Sequence, residues 1–321
     1  MKNKIGPIQF AVFSGLASLG FLTMFTGSIS CFSMIISAVI AFLLIIPTLL
    51  ISTRSNPDIP VLFRAVAVVF VILITVELVD EYCEFFASMV KTGIPKWFIA
   101  LLFLISALYP CIKGIEAVSR AAMVGAVFVV LAVALIFALL PWKDISGFTD
   151  IDHSFSIKRS IDNVINYSPF LISIYFFKNI KDNRARSVTI PFIVMVFIFA
   201  AVMCFGKLLS VTEYEFIFYA LSEISCHIMP MGFSGFFIAF SLICVYFTVV
   251  YFCHSVKLAI KSNTKLLSIA FILVIYGLSV LTMYNDTAAE ILQNKYMFIG
   301  LFAFLAIFSP IAVVIKEKIN A

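Results

Sequence analysis

The sequence predicts an all-α membrane protein of about ten transmembrane helices, built as two five-helix repeats of opposite orientation in which helices one and six are broken. Three observations lead there. Ten apolar stretches fill almost the whole of the 321-residue chain. The composition is 63% hydrophobic and 12% charged, with a mean hydropathy of +1.14, where a soluble domain holds about 45–50% apolar and about 25% charged residues. The Lys and Arg residues also gather on one side of the implied crossings. Helices are required because an open sheet leaves backbone groups unpaired in lipid, and a barrel shows alternating rather than continuous apolar runs.

In chain order the spans are Pro7–Thr26, Phe32–Ser52, Val61–Val90, Trp97–Ile112, Val118–Pro141, Val164–Phe177, Val188–Leu209, Gly232–Val256, Leu266–Tyr284 and Tyr296–Ile315. Residues 1–141 make the first five-helix repeat and 162–315 the second. A helix crosses roughly 30 Å of hydrocarbon in about 20 residues, so two spans look short for straight helices and the third looks long and tilted. The first span follows Lys2 and Lys4 as a signal peptide would. Its apolar run is too long for that and no small-residue cleavage site follows, so it reads as a retained helix.

With ten spans and the N-terminus inside, 15 of the 22 basic residues fall on the cytoplasmic side, among them Arg64, Lys113, Arg120, Lys181, Arg184, Arg186, Lys257 and Lys265. Adding or dropping a span scrambles this bias, which therefore supports the even count and puts both termini in the cytoplasm. The same rule accounts for the net charge of +5 without a nucleic-acid partner. The partner that the composition demands is the lipid bilayer.

The seven cysteines form no CxxC pair, and His153, His227 and His254 lie far apart, so no disulfide framework, metal site or cofactor is expected. The longest polar intervals, Trp142–Asn163 and Ser210–Met231, are too small for a catalytic domain, and no nucleophile–base pair appears; the chain does not read as an enzyme. Within the second interval, Val211–Glu223 carries Tyr214, Phe218 and Leu221 on one face, as an amphipathic piece over the outer mouth or a plain connector would.

Ten spans divide into two sets of five, and an odd set places its second copy upside down. In inverted-repeat transporters the first helix of each set is interrupted near the midplane, where unwound backbone meets a ligand. The matching positions here are Ser14–Gly20 in span one and Asn166–Pro169 in span six. Gly permits close backbone approach, and Pro169 removes a donor. These stretches nominate Gly15, Ala17, Ser18, Gly20, Asn166, Tyr167 and Ser168 as substrate-binding residues, with Glu81 from span three. Small residues are also ordinary packing elements in membrane helices, and that reading stands beside the first.

Span three carries Glu77, Asp80, Glu81 and Glu84 at i, i+3, i+4 and i+7, one stripe with no basic residue on it. Glu77 and Glu81 either face a cavity or proton path, as intramembrane carboxylates do, or belong to a solvated helix end; Glu84 reads as surface. Between spans four and five, Glu116 and Arg120 have the spacing of a helical ion pair, either a cap or an inner gate.

The segment Gly114-Ile115-Glu116-Ala117-Val118-Ser119-Arg120, the long apolar helix after it ending at Leu140-Pro141, the acidic third span, and Ile8-Gln9-Phe10 before a Gly-containing first helix together resemble the B subunit of spore germinant receptors, within the amino acid–polyamine–organocation superfamily. Span count, spacing and topology are similar along the whole chain. It departs from the family pattern at Ala121-Ala122-Met123 and at Cys226–Met231. The resemblance implies a LeuT-like fold in the inner membrane of the cell or spore. It also implies a small nutrient ligand, typically an amino acid, and A and C subunits as partners in triggering germination. The alternative on the same fold is a secondary transporter moving an amino acid with H⁺ or Na⁺.

The topology is checked by single cysteines in a cysteine-free background. A membrane-impermeant thiol reagent should label positions 150 and 290 from outside, and 55, 183 and 263 only after permeabilisation; the reverse pattern rejects the ten-span orientation.

Overall fold

The computed structural model describes residues 4–25, 31–52, 59–90, 93–139, 160–161, 163–208 and 233–319. The proposed amphipathic piece at Val211–Glu223 lies outside them. Within the described residues the α-helices are, in order, α1 Pro7–Phe25, α2 Cys31–Ser52, α3 Val61–Val90, α4 Lys96–Ile112, α5 Ile115–Leu139, α6 Ser168–Ile172, α7 Arg184–Leu208, α8 Phe233–Ile260, α9 Lys265–Tyr284, α10 Asp286–Leu292 and α11 Lys295–Ile319. Among the described residues seven stretches of helix are long and apolar enough to cross a membrane, and two shorter apolar ones, Ile35–Ile51 and Lys96–Ile112, accompany them. The described residues hold no strand, only an isolated bridge between Ile5 and Ile180. The chain is an all-helical, membrane-embedded protein.

Hydrophobicity sets the layers. About 72% of the apolar windows of α1 and α8 is buried, against 28% for α5, so α1 and α8 form the centre and α5 the periphery. Val124, Val127, Phe128, Val130 and Leu131 of α5 and Ile190, Val194 and Phe197 of α7 point outward, as lipid-facing residues do. At the centre, Phe176 stacks on Tyr251 at 4.7 Å between ring centroids, with Phe10 5.3 Å from Phe176 and Phe13 edge-on to Tyr251 at 5.1 Å.

Span one is not broken. α1 runs continuously through Gly15 and Gly20 from Pro7 to Phe25, which corrects the expected interruption at Ser14–Gly20. The reason is packing: a Cβ on Gly20 would lie 2.1 Å from Thr248 Oγ1 and 3.0 Å from the Cys244 carbonyl oxygen, so this glycine lets α8 approach α1.

Span six is irregular. A 3-10 run at Asn163–Tyr167 gives way to the single α-helical stretch α6 and then to a second 3-10 run, Ser173–Asn179. Runs of this length are uncommon in 3-10 geometry. At about 2.0 Å per 3-10 residue and about 1.5 Å per α residue, the segment extends over roughly 30 Å.

Several helix ends meet in pairs. Ile5 N donates to Asn179 O at 2.7 Å and Lys181 N to Ile5 O at 3.1 Å, joining the start of α1 to the end of span six. Arg64 near the start of α3 donates to Ala259 O near the end of α8 at 3.3 Å. Ser268 near the start of α9 donates to Cys111 O near the end of α4 at 2.8 Å.

The contact at Gly20 yields a stability prediction. Gly20→Ala should cost about 1–3 kcal/mol by overpacking. Gly277→Ala in α9, where nothing lies within 4 Å, should be neutral or stabilising by up to about 1 kcal/mol. Thermal unfolding of the purified variants in detergent separates the two.

Candidate functional site

Two of the nominated stretches meet in the core. Ser18 Oγ of α1 donates to the Asn166 carbonyl at 3.1 Å, across 148 residues of sequence. Ser18 and Ser168 are fully buried and Asn166 is 2% exposed. Tyr251 of α8 donates its hydroxyl to the Pro169 carbonyl at 2.8 Å, fixing the turn into α6 from the other side. Tyr167 is held between Phe192 and Phe199 of α7, at 5.2 and 5.3 Å, with its hydroxyl beside Ser37 of α2. Around these anchors, Asn163 Nδ2, Asn166 Nδ2 and Ser168 Oγ are buried without hydrogen-bond partners among the described residues. Each such group costs about 1–3 kcal/mol in an apolar interior, and all three can donate to an acceptor.

The other nominated residues go elsewhere. Ala17 and Gly20 face α8: Thr248 Oγ1 lies 2.8 Å from the Ala17 carbonyl and 2.9 Å from that of Cys244. Gly15 faces α7, where a Cβ would sit 3.7 Å from both Pro191 Cβ and Met195 Cε.

Glu81 belongs to a second cluster on α3. Glu77 is only 7% exposed, and its charged neighbours are Lys295, Glu81 and Asp80. Asp80 Oδ2 accepts from Thr282 Oγ1 of α9 and, at 2.8 Å, from Gln293 Nε2 beyond α10. Its Oδ1 is buried without a partner, and the Ser279 hydroxyl lies against the carboxylate without meeting hydrogen-bond geometry. Glu84 is exposed and pairs with Lys96 at 3.2 Å. Among the described residues no three His, Cys, Asp or Glu side chains are placed to hold a metal ion.

Glu116 and Arg120 pair with each other on the exposed surface of α5. The bond stays within one helix and so ties no two elements together as a gate would. The ties at that level come from α8. The ammonium of Lys257, a residue 3% exposed, donates to the Cys111 carbonyl at 2.7 Å. His254 Nε2 lies 3.3 Å from the Pro110 carbonyl. Cys111 is next to last in α4, so the cation sits at the negative end of that helix. Sequence reasoning missed this group, although Thr248, Tyr251, His254 and Ser255 form an i, i+3, i+6, i+7 polar stripe in span eight that marks a face buried against partners.

No family model matches the chain, and no curated protein matches it.

The Asp80 bonds join α3 to α9 and to the α10–α11 turn. Asp80→Ala should therefore cost about 2–4 kcal/mol in thermal unfolding, whereas Glu84→Ala, which loses an exposed pair, should stay within about 0.5 kcal/mol.

Proposed function

We propose that this chain is a nutrient-binding receptor subunit of the inner membrane, with ten spans in a 5+5 inverted repeat. It binds a small amino acid at the junction of α1 and span six, and acts with A and C subunits to trigger spore germination. The observation that carries the ligand reading is the set of buried, unpartnered donors at Asn163, Asn166 and Ser168 where span six leaves regular α geometry. Three such donors favour a ligand that brings acceptors, as a carboxylate does. Seven long apolar helices and two shorter ones support a ten-span reading once residues 163–179 are counted as a span, and an irregular sixth span is what an inverted repeat with a broken helix would have. The germination role and its partner subunits rest on the sequence resemblance. The second reading, a cation-coupled amino acid transporter, is favoured by the buried Glu77.

Entry to the junction requires α1 and span six to separate, because Ser18, Asn166 and Ser168 are closed off from the surface. A ligand that binds there stabilises the closed form by mass action.

Thermal shift of the purified chain against a panel of amino acids tests the site. At least one should raise the melting temperature, and Ser168→Ala should reduce that ligand's affinity by about tenfold or more, the value of a hydrogen bond to a charged group. The same variant without ligand should melt at or above wild type, since it removes an unsatisfied hydroxyl. A loss of stability without ligand makes Ser168 a packing element, and uptake of labelled amino acid by vesicles holding only this chain decides for the transporter.

A further inference from the structure

A groove on the outside of the bundle is untouched by the ligand reading. α5 and α7 each pack on α1 and, among the described residues, have no extensive contact with each other; the gap between them is a slot of about 740 Å³. Its floor is Ala11 and Gly15 of α1, and its walls include Val130 and Val133 of α5 and Ile190 and Val194 of α7. Gly15 keeps the floor deep, because any larger side chain there would grow toward Pro191 and Met195.

The slot is apolar along its length and polar at one end only, where Asn183, Arg186 and Ser187 line it. That end lies at the start of α7, on the face of the bilayer where α1 also starts, as the pairing of Ile5 with Asn179 and Lys181 shows. Arg186 is exposed and has no carboxylate partner among the described residues. Lys181 and Arg184 flank it, with Asp182 the one acidic residue in the stretch.

We propose that this groove holds one membrane phospholipid with an anionic headgroup, its phosphate at Arg186 and Asn183 and an acyl chain lying along α1 over Gly15. A guanidinium matches a phosphate bidentately, and basic pockets between transmembrane helices on the cytoplasmic side take anionic headgroups. The apolar walls match a hydrocarbon chain and exclude a water-soluble nutrient, whose polar groups would go unpaired there. The cation at the mouth, which has no carboxylate partner among the described residues, selects an anionic occupant over an apolar helix of another chain. The site is separate from the α1–span six junction, so it stands or falls independently of the nutrient reading.

The test is native mass spectrometry of the purified full chain titrated with phosphatidylglycerol or phosphatidylcholine. Wild type should retain phosphatidylglycerol more strongly. Arg186→Gln should lower that retention about fivefold, which is about 1 kcal/mol for one basic side chain near an anionic surface, and lower that of phosphatidylcholine by less, because the choline ammonium offsets the charge of its phosphate. Lys265→Gln, an equal change of charge at an exposed position outside the groove, should leave both as in wild type. Val130→Trp, at a residue 65% exposed toward lipid and therefore tolerant of bulk, should lower retention of both lipids by filling the slot. Equal phosphatidylglycerol retention by wild type and Arg186→Gln overturns the proposal. So does wild-type lipid retention by Val130→Trp, or a co-purifying polypeptide that takes the place of lipid.

Discussion

Without water in the hydrocarbon layer, every backbone carbonyl freed from a helix must find a donor in the protein, and in this chain α8 supplies many of them. Tyr246, Thr248, Tyr251 and Lys257 reach, in order, the carbonyls of Ser106, Ala17, Pro169 and Cys111, and His254 lies against that of Pro110. One helix thus fastens α4, α1 and the start of α6. The need for it is written into the acceptors: Pro110 cannot donate to Ser106 in its own helix, and the second 3-10 run and short α6 leave span six with few regular backbone bonds. Bonds of this kind are worth about 0.6–2 kcal/mol each in membranes, and α8 concentrates several of them beside the stacked Phe176–Tyr251 pair.

Irregular span six depends on this clamp. An isolated 3-10 run is a poor structure, with strained hydrogen bonds and eclipsed side chains. It persists here because Ser18 and Tyr251 take its carbonyls at Asn166 and Pro169, and because Tyr175 donates to Phe63 O at 3.2 Å. The same arrangement that satisfies these carbonyls leaves the side-chain donors of Asn163, Asn166 and Ser168 unsatisfied. Backbone and side chains are therefore in opposite conditions at one place. That is the condition of a segment held in shape by its neighbours while keeping polarity free for something else.

Most of the span positions were legible in the sequence because long apolar runs have few alternatives in lipid. Span six was legible as irregular because Asn166-Tyr167-Ser168-Pro169 puts polar groups and a missing N–H into an otherwise apolar run. Span one was misread for a definite reason: glycine signals either a break or a close approach, and only the neighbour decides which. At Gly20 the neighbour is Thr248, hundreds of residues away in sequence, and the helix continues. The Lys257–Cys111 contact was hidden in the same way, since a lysine near the end of a span reads as a surface charge unless the helix beside it ends at the same depth.

Gly15 carries that reasoning one step further. It and Gly20 lie in one helix and give the same signal in sequence, yet they serve different surfaces. A Cβ at Gly20 meets a hydroxyl at 2.1 Å, so that position is fixed by protein, whereas at Gly15 it meets nothing closer than 3.7 Å. A position where a Cβ would make only ordinary van der Waals contact does not need glycine for the packing of α1 on α7. What it preserves is the depth of the slot. In a soluble protein such a slot would be a defect. In a bilayer it presents an apolar channel to acyl chains with a guanidinium at its mouth, and the cost of leaving two helices unpacked is offset if a lipid of matching charge completes the surface.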